Sequence, residues 1–187
     1  VAQQICGFDG ILAAVPSVGN GSWKRISGPA GGIANIANST NPASPVTVTI
    51  CGAYIFQWTE DNFTCLDSAR VTLDFSEPPI AVNPKELCDK IDFSYTVTFD
   101  IVGCKPPYKI FDANTGLQVG TAAVSPYTFT TAKIGNEVAY NFVIQDAFGC
   151  FGDTLKGKRK CDCTTKADTI NTSSILQACE NQTITGI

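Results

Sequence analysis

The chain has 187 residues, a net charge of −4 and a sequence pI of about 4.7. The acidic balance argues against nucleic-acid binding, which needs clustered cations, and the lack of histidine excludes Ser-His and Cys-His catalysis. No segment approaches the roughly twenty apolar residues of a membrane-spanning helix. The chain begins with valine, contains no methionine and shows no signal peptide. We therefore expect a processed or excised part of a larger protein, and not an enzyme.

Apolar and polar residues alternate with a period of two in several short segments, in chain order 46–50, 54–58, 71–75, 93–101 and 140–144. Such alternation is typical of strands with one buried face. Sixteen glycines and ten prolines separate these segments at short intervals. No segment shows a long helical period, so the sequence predicts an all-β protein.

An internal repeat sets the number of domains. Residues 53–56 (AYIF) resemble residues 139–142 (AYNF), 86 positions later, and each segment is followed by a turn and a cysteine, Cys65 or Cys150. A unit of about 85 residues suits a seven-stranded sandwich. Prolines cluster between the two units and indicate a linker. The predicted boundaries are 1–77 for the first sandwich, 78–84 for a Pro-rich linker, 85–161 for the second sandwich and 162–187 for the start of an incomplete third repeat.

Several segments resemble a known family. Residues 21–29 (GSWKRISGP) and 52–60 (GAYIFQWTE) resemble two strands of PKD-like domains, and residues 103–110 and 139–150 resemble the "PY…DxxGC" repeats of giant adhesins. Residues 163–180 resemble the cysteine-bounded start of a further repeat. These adhesins are exported by Bacteroidota, often through type IX secretion, and support gliding or attachment.

The resemblance implies tandem immunoglobulin-like, PKD-like sandwiches that are secreted to the bacterial cell surface. The implied function is that of stalk repeats in a long surface filament or adhesin. The implied partners are neighbouring repeats of the same polypeptide, with surface polysaccharide or other cell-surface proteins as further ones, and with no nucleic acid and no membrane insertion. A carbohydrate- or protein-binding module of a multidomain exported enzyme is the alternative.

Nine cysteines in 187 residues is a high number for a cytosolic chain but a normal one for an exported chain, so the sequence predicts disulfide bonds. Cys104 and Cys150 flank two turns that we expect at the same end of the second sandwich, so we predict a bond between them. We also predict a bond within each of three further pairs and leave Cys51 unpaired or bonded outside the chain, because nine is an odd number. The three further pairs are Cys6–Cys65, Cys88–Cys161 and Cys163–Cys179.

Other polar and aromatic residues allow two interpretations each. Acidic residues near turns could converge on a Ca²⁺ ion, but no dense calcium loop is present, so we favour solvated turns and no cofactor. The aromatic residues could form a sugar-stacking platform, but we favour a buried core. The basic run is most simply a charged edge strand. The acidic residues are Asp9, Glu60, Asp61, Asp67 and Asp146. The aromatic residues are Trp23, Tyr54, Phe56 and Trp58. The basic run consists of Lys156, Lys158, Arg159 and Lys160.

Three Asp-Ser/Thr-apolar triplets match the O-glycosylation pattern of Bacteroidota, and they predict glycans at Ser68, Thr154 and Thr169. The alternation in 67–75 predicts that Ser68 points outward and Ala69 inward.

Overall fold

In the computed structural model, the residues that the structure describes are 2–17, 20–62 and 65–161. These ranges fold into fourteen β-strands and contain no α-helix, so the predicted all-β class is confirmed. The first seven strands are β1 (Gln3–Cys6), β2 (Asp9–Ile11), β3 (Asn20–Ser27), β4 (Ala34–Ile36), β5 (Pro45–Val48), β6 (Gly52–Asn62) and β7 (Cys65–Ser76). The next seven are β8 (Ile80–Cys88), β9 (Tyr95–Val102), β10 (Tyr108–Asp112), β11 (Gln118–Ala122), β12 (Tyr127–Thr130), β13 (Ala139–Gln145) and β14 (Leu155–Lys158).

The first sandwich packs a four-stranded sheet of order β1-β7-β6-β3 against a three-stranded sheet of order β2-β5-β4. The long β6–β7 hairpin forms the centre of the four-stranded sheet, and β1 pairs with β7 in parallel. Because strand side chains alternate between faces, every second residue of β6 points into the core. The buried core is formed by Leu12, Trp23, Val46, Val48, Tyr54, Phe56, Trp58, Leu73 and Phe75.

The second sandwich packs a sheet of order β12-β9-β8 against a sheet of order β11-β10-β13-β14. Alternation again selects the inward residues, here along β9 and β13, and these residues form a separate core. That core contains Tyr95, Val97, Phe99, Ile101, Tyr108, Ile110, Ala122, Tyr140, Phe142 and Ile144. Two seven-stranded sandwiches in series, each with its own core and antiparallel central strands, are an immunoglobulin-like architecture.

The segment between the sandwiches is shorter than predicted. Strand β7 ends at Ser76 and β8 begins at Ile80, so most of the predicted linker 78–84 is strand, and the predicted start of the second sandwich at residue 85 is wrong. Pro84 is tolerated because β8 is an edge strand whose register shifts between Val82 and Lys85, where no ladder hydrogen bond from residue 84 is needed. The predicted third repeat, 162–187, lies outside the described residues.

Candidate functional site

Two disulfides cross the junction between the sandwiches. Cys6, at the end of β1, is bonded to Cys150, which follows β13, with 5.5 Å between their Cα atoms. Cys51, just before β6, is bonded to Cys104, just after β9, with 6.5 Å between their Cα atoms. Both separations lie in the range that disulfides span. A third bond joins Cys88 to Cys161 inside the second sandwich, the pair expected there.

Two of the predicted cysteine pairs are wrong. Cys6 lies beside Ser76 at the end of β7, whereas Cys65 begins that twelve-residue strand. A strand of this length separates its two ends by about 36 Å, so Cys6 and Cys65 cannot meet. Cys104 and Cys150 do lie at one end of the second sandwich, but that end faces the first sandwich. Each therefore bonds across the junction, and Cys51, predicted to be left over, is the partner of Cys104.

The other cysteines of the prediction are placed as follows. Cys65 is exposed at the start of β7, close to the tip of the β6–β7 hairpin. Cys163 and Cys179 lie outside the described residues. Strand direction is the signal that sequence reasoning missed. Cys6 ends a strand and Cys51 precedes one, and in a sheet where these strands run in opposite directions both positions lie at the same end.

A buried carboxylate joins the two sandwiches between the disulfides. Asp146 is 4% exposed and accepts a hydrogen bond from the Ser76 hydroxyl at the end of β7. Its other carboxylate oxygen accepts from the backbone N–H groups of Phe148 and Cys150, at 2.9 and 2.8 Å. The carboxylate thus fixes the turn that carries Cys150 and the last residue of β7. Asp146 was a candidate calcium ligand, and its oxygens instead hold the junction together.

An ion pair covers the same junction. The Lys105 ammonium is 2.7 Å from the Asp74 carboxylate, and both side chains are about one-fifth exposed. The ammonium also lies 4.7 Å above the Phe148 ring, a distance typical of a cation–π contact. The lysine backbone carbonyl accepts a hydrogen bond from Ala147, so the same residue also orders the turn before Cys150.

The connecting residues 77–79 pack closely on the second sandwich. A Cβ atom added to Gly152 would lie 1.6 Å from the Pro79 carbonyl oxygen, so only glycine fits at this position. Pro79 is buried, and the Glu77 backbone N–H lies 3.3 Å from the Cys104 sulfur. Neighbouring domains usually move relative to one another unless their interface is large. Here a three-residue linker, two disulfides and the buried hydrogen bonds of Asp146 restrict that motion.

The remaining acidic candidates do not converge on one point. Asp9 accepts a hydrogen bond from Thr47 at 2.9 Å, and Glu60 is buried among donors from Ser17 and Trp58. The bonds from Ser17 attach the segment before β3 to β6 of the four-stranded sheet. Within residues 2–17, 20–62 and 65–161, no group of three or more Cys, Asp or Glu residues is arranged to hold a metal ion.

The candidate sugar-stacking aromatics lie in the core of the first sandwich. Trp23 and Trp58 are each 5% exposed, with ring centroids 5.3 Å apart, while Tyr54 and Phe56 are fully buried. None of the four presents a ring face to solvent, so the core interpretation holds. The basic run lies at a sheet edge, as expected. Lys156 and Lys158 are exposed on β14, which is an edge strand of its sheet.

The predicted glycosylation residues Ser68 and Thr154 are both exposed, and Thr169 lies outside the described residues. Ala69 pairs directly with the buried Trp58 and therefore lies on the inward face, as predicted, but its side chain is exposed. The long β6–β7 hairpin extends beyond the opposite sheet at this end, so residues 65–70 of β7 are exposed on both faces.

A cavity of about 380 Å³ lies on the second sandwich and was not expected from the sequence. Residues of both sheets line it, and the side-chain oxygen of Asn141 is buried nearby without a hydrogen-bond partner. Among the lining residues are Asp112, Asn114, Phe129, Lys133, Tyr140 and Asn141.

The fold and the junction define a tandem immunoglobulin-like β-sandwich protein, and the three disulfides among its described residues fit an oxidising, extracellular environment. The described part of the chain contains no helix able to span a membrane. No protein family and no curated protein sequence matches the chain.

The chain is similar to several solved structures. An I-band fragment from titin is 11% identical over 85% of this chain, with a TM-score of 0.46, and this chain spans about 62% of that fragment. Bovine butyrophilin is 10% identical over 84% of this chain and 94% of its own length, with a TM-score of 0.42. The fibronectin(III)-like modules of Clostridium thermocellum CbhA are 12% identical over 85% of this chain and 90% of their own, with a TM-score of 0.34.

Proposed function

We propose that the chain is a structural, adhesive segment of a long secreted bacterial cell-surface filament or adhesin, in which it acts as stalk repeats. The observation that carries this proposal is the junction, where Cys6–Cys150 and Cys51–Cys104 hold consecutive sandwiches in one orientation. A stalk needs stiff connections because each hinge shortens its reach. The resemblance of residues 21–29 and 52–60 to PKD-like repeats supports the same role.

In this role the partners are neighbouring repeats of the same polypeptide, and the surface polysaccharide or proteins to which the filament attaches. The role requires no cofactor and no chemistry. The protein needs to persist outside the cell, and covalent bonds at the junction suit a compartment in which thiols stay oxidised.

Immunoelectron microscopy on intact source cells tests the proposal. Antibodies against the purified chain are expected to label filaments that project from the cell surface, with cells that lack the gene as the control. Labelling confined to the cell interior, or unchanged in the deletion cells, would overturn the proposed function.

A binding module is the second candidate, and the cavity beside Tyr140 and Asn141 favours it. Polar side chains at an aromatic wall are typical of small-ligand sites. A titration of ¹⁵N-labelled protein with a panel of soluble oligosaccharides tests this function. Shifts of the lining amides, with none at the Ser68 hairpin, would support binding. No shifts with any member of the panel would leave the cavity as a packing gap.

A further inference from the structure

We propose that the Cys6–Cys150 disulfide carries tension past both sandwiches, so that pulling the chain by its ends loads almost none of the fold. The biological use of this property rests on the proposed function as a stalk, but the property itself follows from the connectivity. The two bonded cysteines are 144 residues apart. Residues 7–149 therefore form a closed covalent loop, and a force applied on either side of the loop crosses the sulfur–sulfur bond instead of entering it.

The path of the force is short on each side of this bond. From the amino-terminal side, tension passes through Gln3–Cys6, which is β1. It then crosses to Cys150 and leaves through about 11 residues to Cys161. A fully extended residue spans about 3.5 Å, so the covalent path from Cys6 to Cys161 measures at most about 40 Å.

Only two strands lie on that path. β1 is paired in parallel with β7, so tension along it shears all four of its paired positions at once. β14 is a four-residue edge strand and is the element most easily detached. The other twelve described strands, with all buried residues of both cores, lie inside the closed loop. Peeling of β1 or β14 therefore stops at a sulfur atom and does not spread into a core.

The Cys51–Cys104 disulfide lies inside the loop, and the Cys88–Cys161 disulfide joins the loop to the chain after it. These two bonds determine the shortest covalent path that remains when Cys6–Cys150 is absent. Without Cys6–Cys150, tension runs from Cys6 to Cys51, crosses to Cys104, returns to Cys88 and crosses to Cys161. That path contains about 61 residues, or about 210 Å when extended. With all three bonds reduced, the path is the whole segment of about 155 residues, or about 540 Å.

Single-molecule force spectroscopy on the full chain, with handles at its two ends, tests the proposal. The oxidised protein is expected to extend without an unfolding event of sandwich size. After reduction with dithiothreitol in the same cell, the contour length is expected to increase by about 500 Å, the extended length of the 144 residues that the bond enclosed.

Two matched double variants show which bond carries the force. Cys6→Ser/Cys150→Ser is expected to gain about 175 Å of contour length under oxidising conditions, which corresponds to about 50 more residues in the path. Cys51→Ser/Cys104→Ser removes the other bond across the same junction and is expected to behave like the unaltered chain. Circular dichroism of each variant reports folding independently, and reduction of the unaltered chain needs no variant.

Sandwich-sized unfolding of the oxidised chain, or an equal gain in both variants, would overturn the bypass. Neither result depends on where the protein is found. A chain that bypasses tension but is absent from surface filaments would refute the proposed function alone. A surface filament protein whose oxidised sandwiches unfold under load would refute the bypass alone.

Discussion

The two sandwiches differ in how they fasten their first and last strands. In the first sandwich, β1 and β7 are neighbours in one sheet and hold each other by a parallel ladder. In the second, β8 and β14 belong to opposite sheets and share no ladder. There the Cys88–Cys161 disulfide joins the end of β8 to the chain just after β14. The comparison shows that hydrogen bonds and a covalent bond can perform the same task in successive units.

The repeated tyrosines also have different partners. Tyr54, near the start of β6, donates to the Ile50 carbonyl at 3.0 Å, as in the tyrosine corner of immunoglobulin-like domains. The corresponding Tyr140 of β13 donates to the Glu86 carboxylate at 2.9 Å. Burial and this carboxylate together raise the pKa of Tyr140 to about 12. The two tyrosines thus occupy equivalent strand positions in the two sandwiches but form hydrogen bonds to different kinds of partner.

Removal of the fastening bond of the second sandwich is expected to have the largest effect. Cys88→Ser/Cys161→Ser opens a loop of 73 residues, which costs about 4 kcal/mol of unfolding free energy in the chain-entropy model. Both tryptophans lie in the first sandwich, so urea unfolding followed by tryptophan fluorescence reports that sandwich, while circular dichroism reports both. We expect the dichroism transition to move to lower urea and the fluorescence transition to stay. A joint shift of both would contradict independent fastening.

Removal of the tyrosine corner is expected to have a smaller effect, with the opposite pattern. Tyr54→Phe leaves the Ile50 carbonyl without its donor and should lower the unfolding free energy of the first sandwich by about 1 kcal/mol. The fluorescence-detected urea midpoint measures this loss. Tyr127→Phe, on the edge strand β12, is the control and should leave that midpoint unchanged. An equal loss in the control would argue against the corner.

Acid is expected to distinguish the sandwiches through an exposed ion-pair cluster in the second one. The Lys133 ammonium lies 2.5 Å from Asp89 and 2.8 Å from Asp92, and its hydrogen bonds lower the pKa of both carboxyl groups. A lowered pKa in the folded state adds stability that is present above the unfolded value of about 3.9 and is lost as the pH falls through the folded value. Below about pH 4 the dichroism-detected midpoint should fall less in Lys133→Met than in the unaltered chain. An identical acid dependence in both proteins would show that the cluster does not contribute to the acid sensitivity.

The predicted glycans are expected to affect stability least, since Ser68 and Thr154 are exposed surface residues. Intact mass spectrometry of protein from the native source should show added glycan mass that is lost in Ser68→Ala/Thr154→Ala. The unfolding free energy should change by less than about 0.5 kcal/mol in that variant made without glycans. A native mass equal to that of the bare polypeptide, corrected for disulfides, would end the glycan hypothesis.

Much of the fold could be predicted because strand formation leaves a local pattern. The alternation in 54–58 and 140–144 identifies the inward residues of β6 and β13, and the 86-residue repeat identifies these strands as equivalents. The alternation fails where it no longer reports burial. Phe93 continues the period of β9 but precedes the strand and is about half exposed, because its backbone adopts a left-handed conformation.

The sequence by itself determined the all-β class, the two sandwich repeats of the described residues and the inward positions of β6 and β13, because each follows from composition or from contacts close along the chain. Only the tertiary structure decided which cysteines meet. Cys6 and Cys150 are separated by 144 residues, and they can bond only because each lies at the end of its sandwich that faces the other sandwich. That depends on strand order and direction, which are set by long-range packing and leave no periodic signal in the chain.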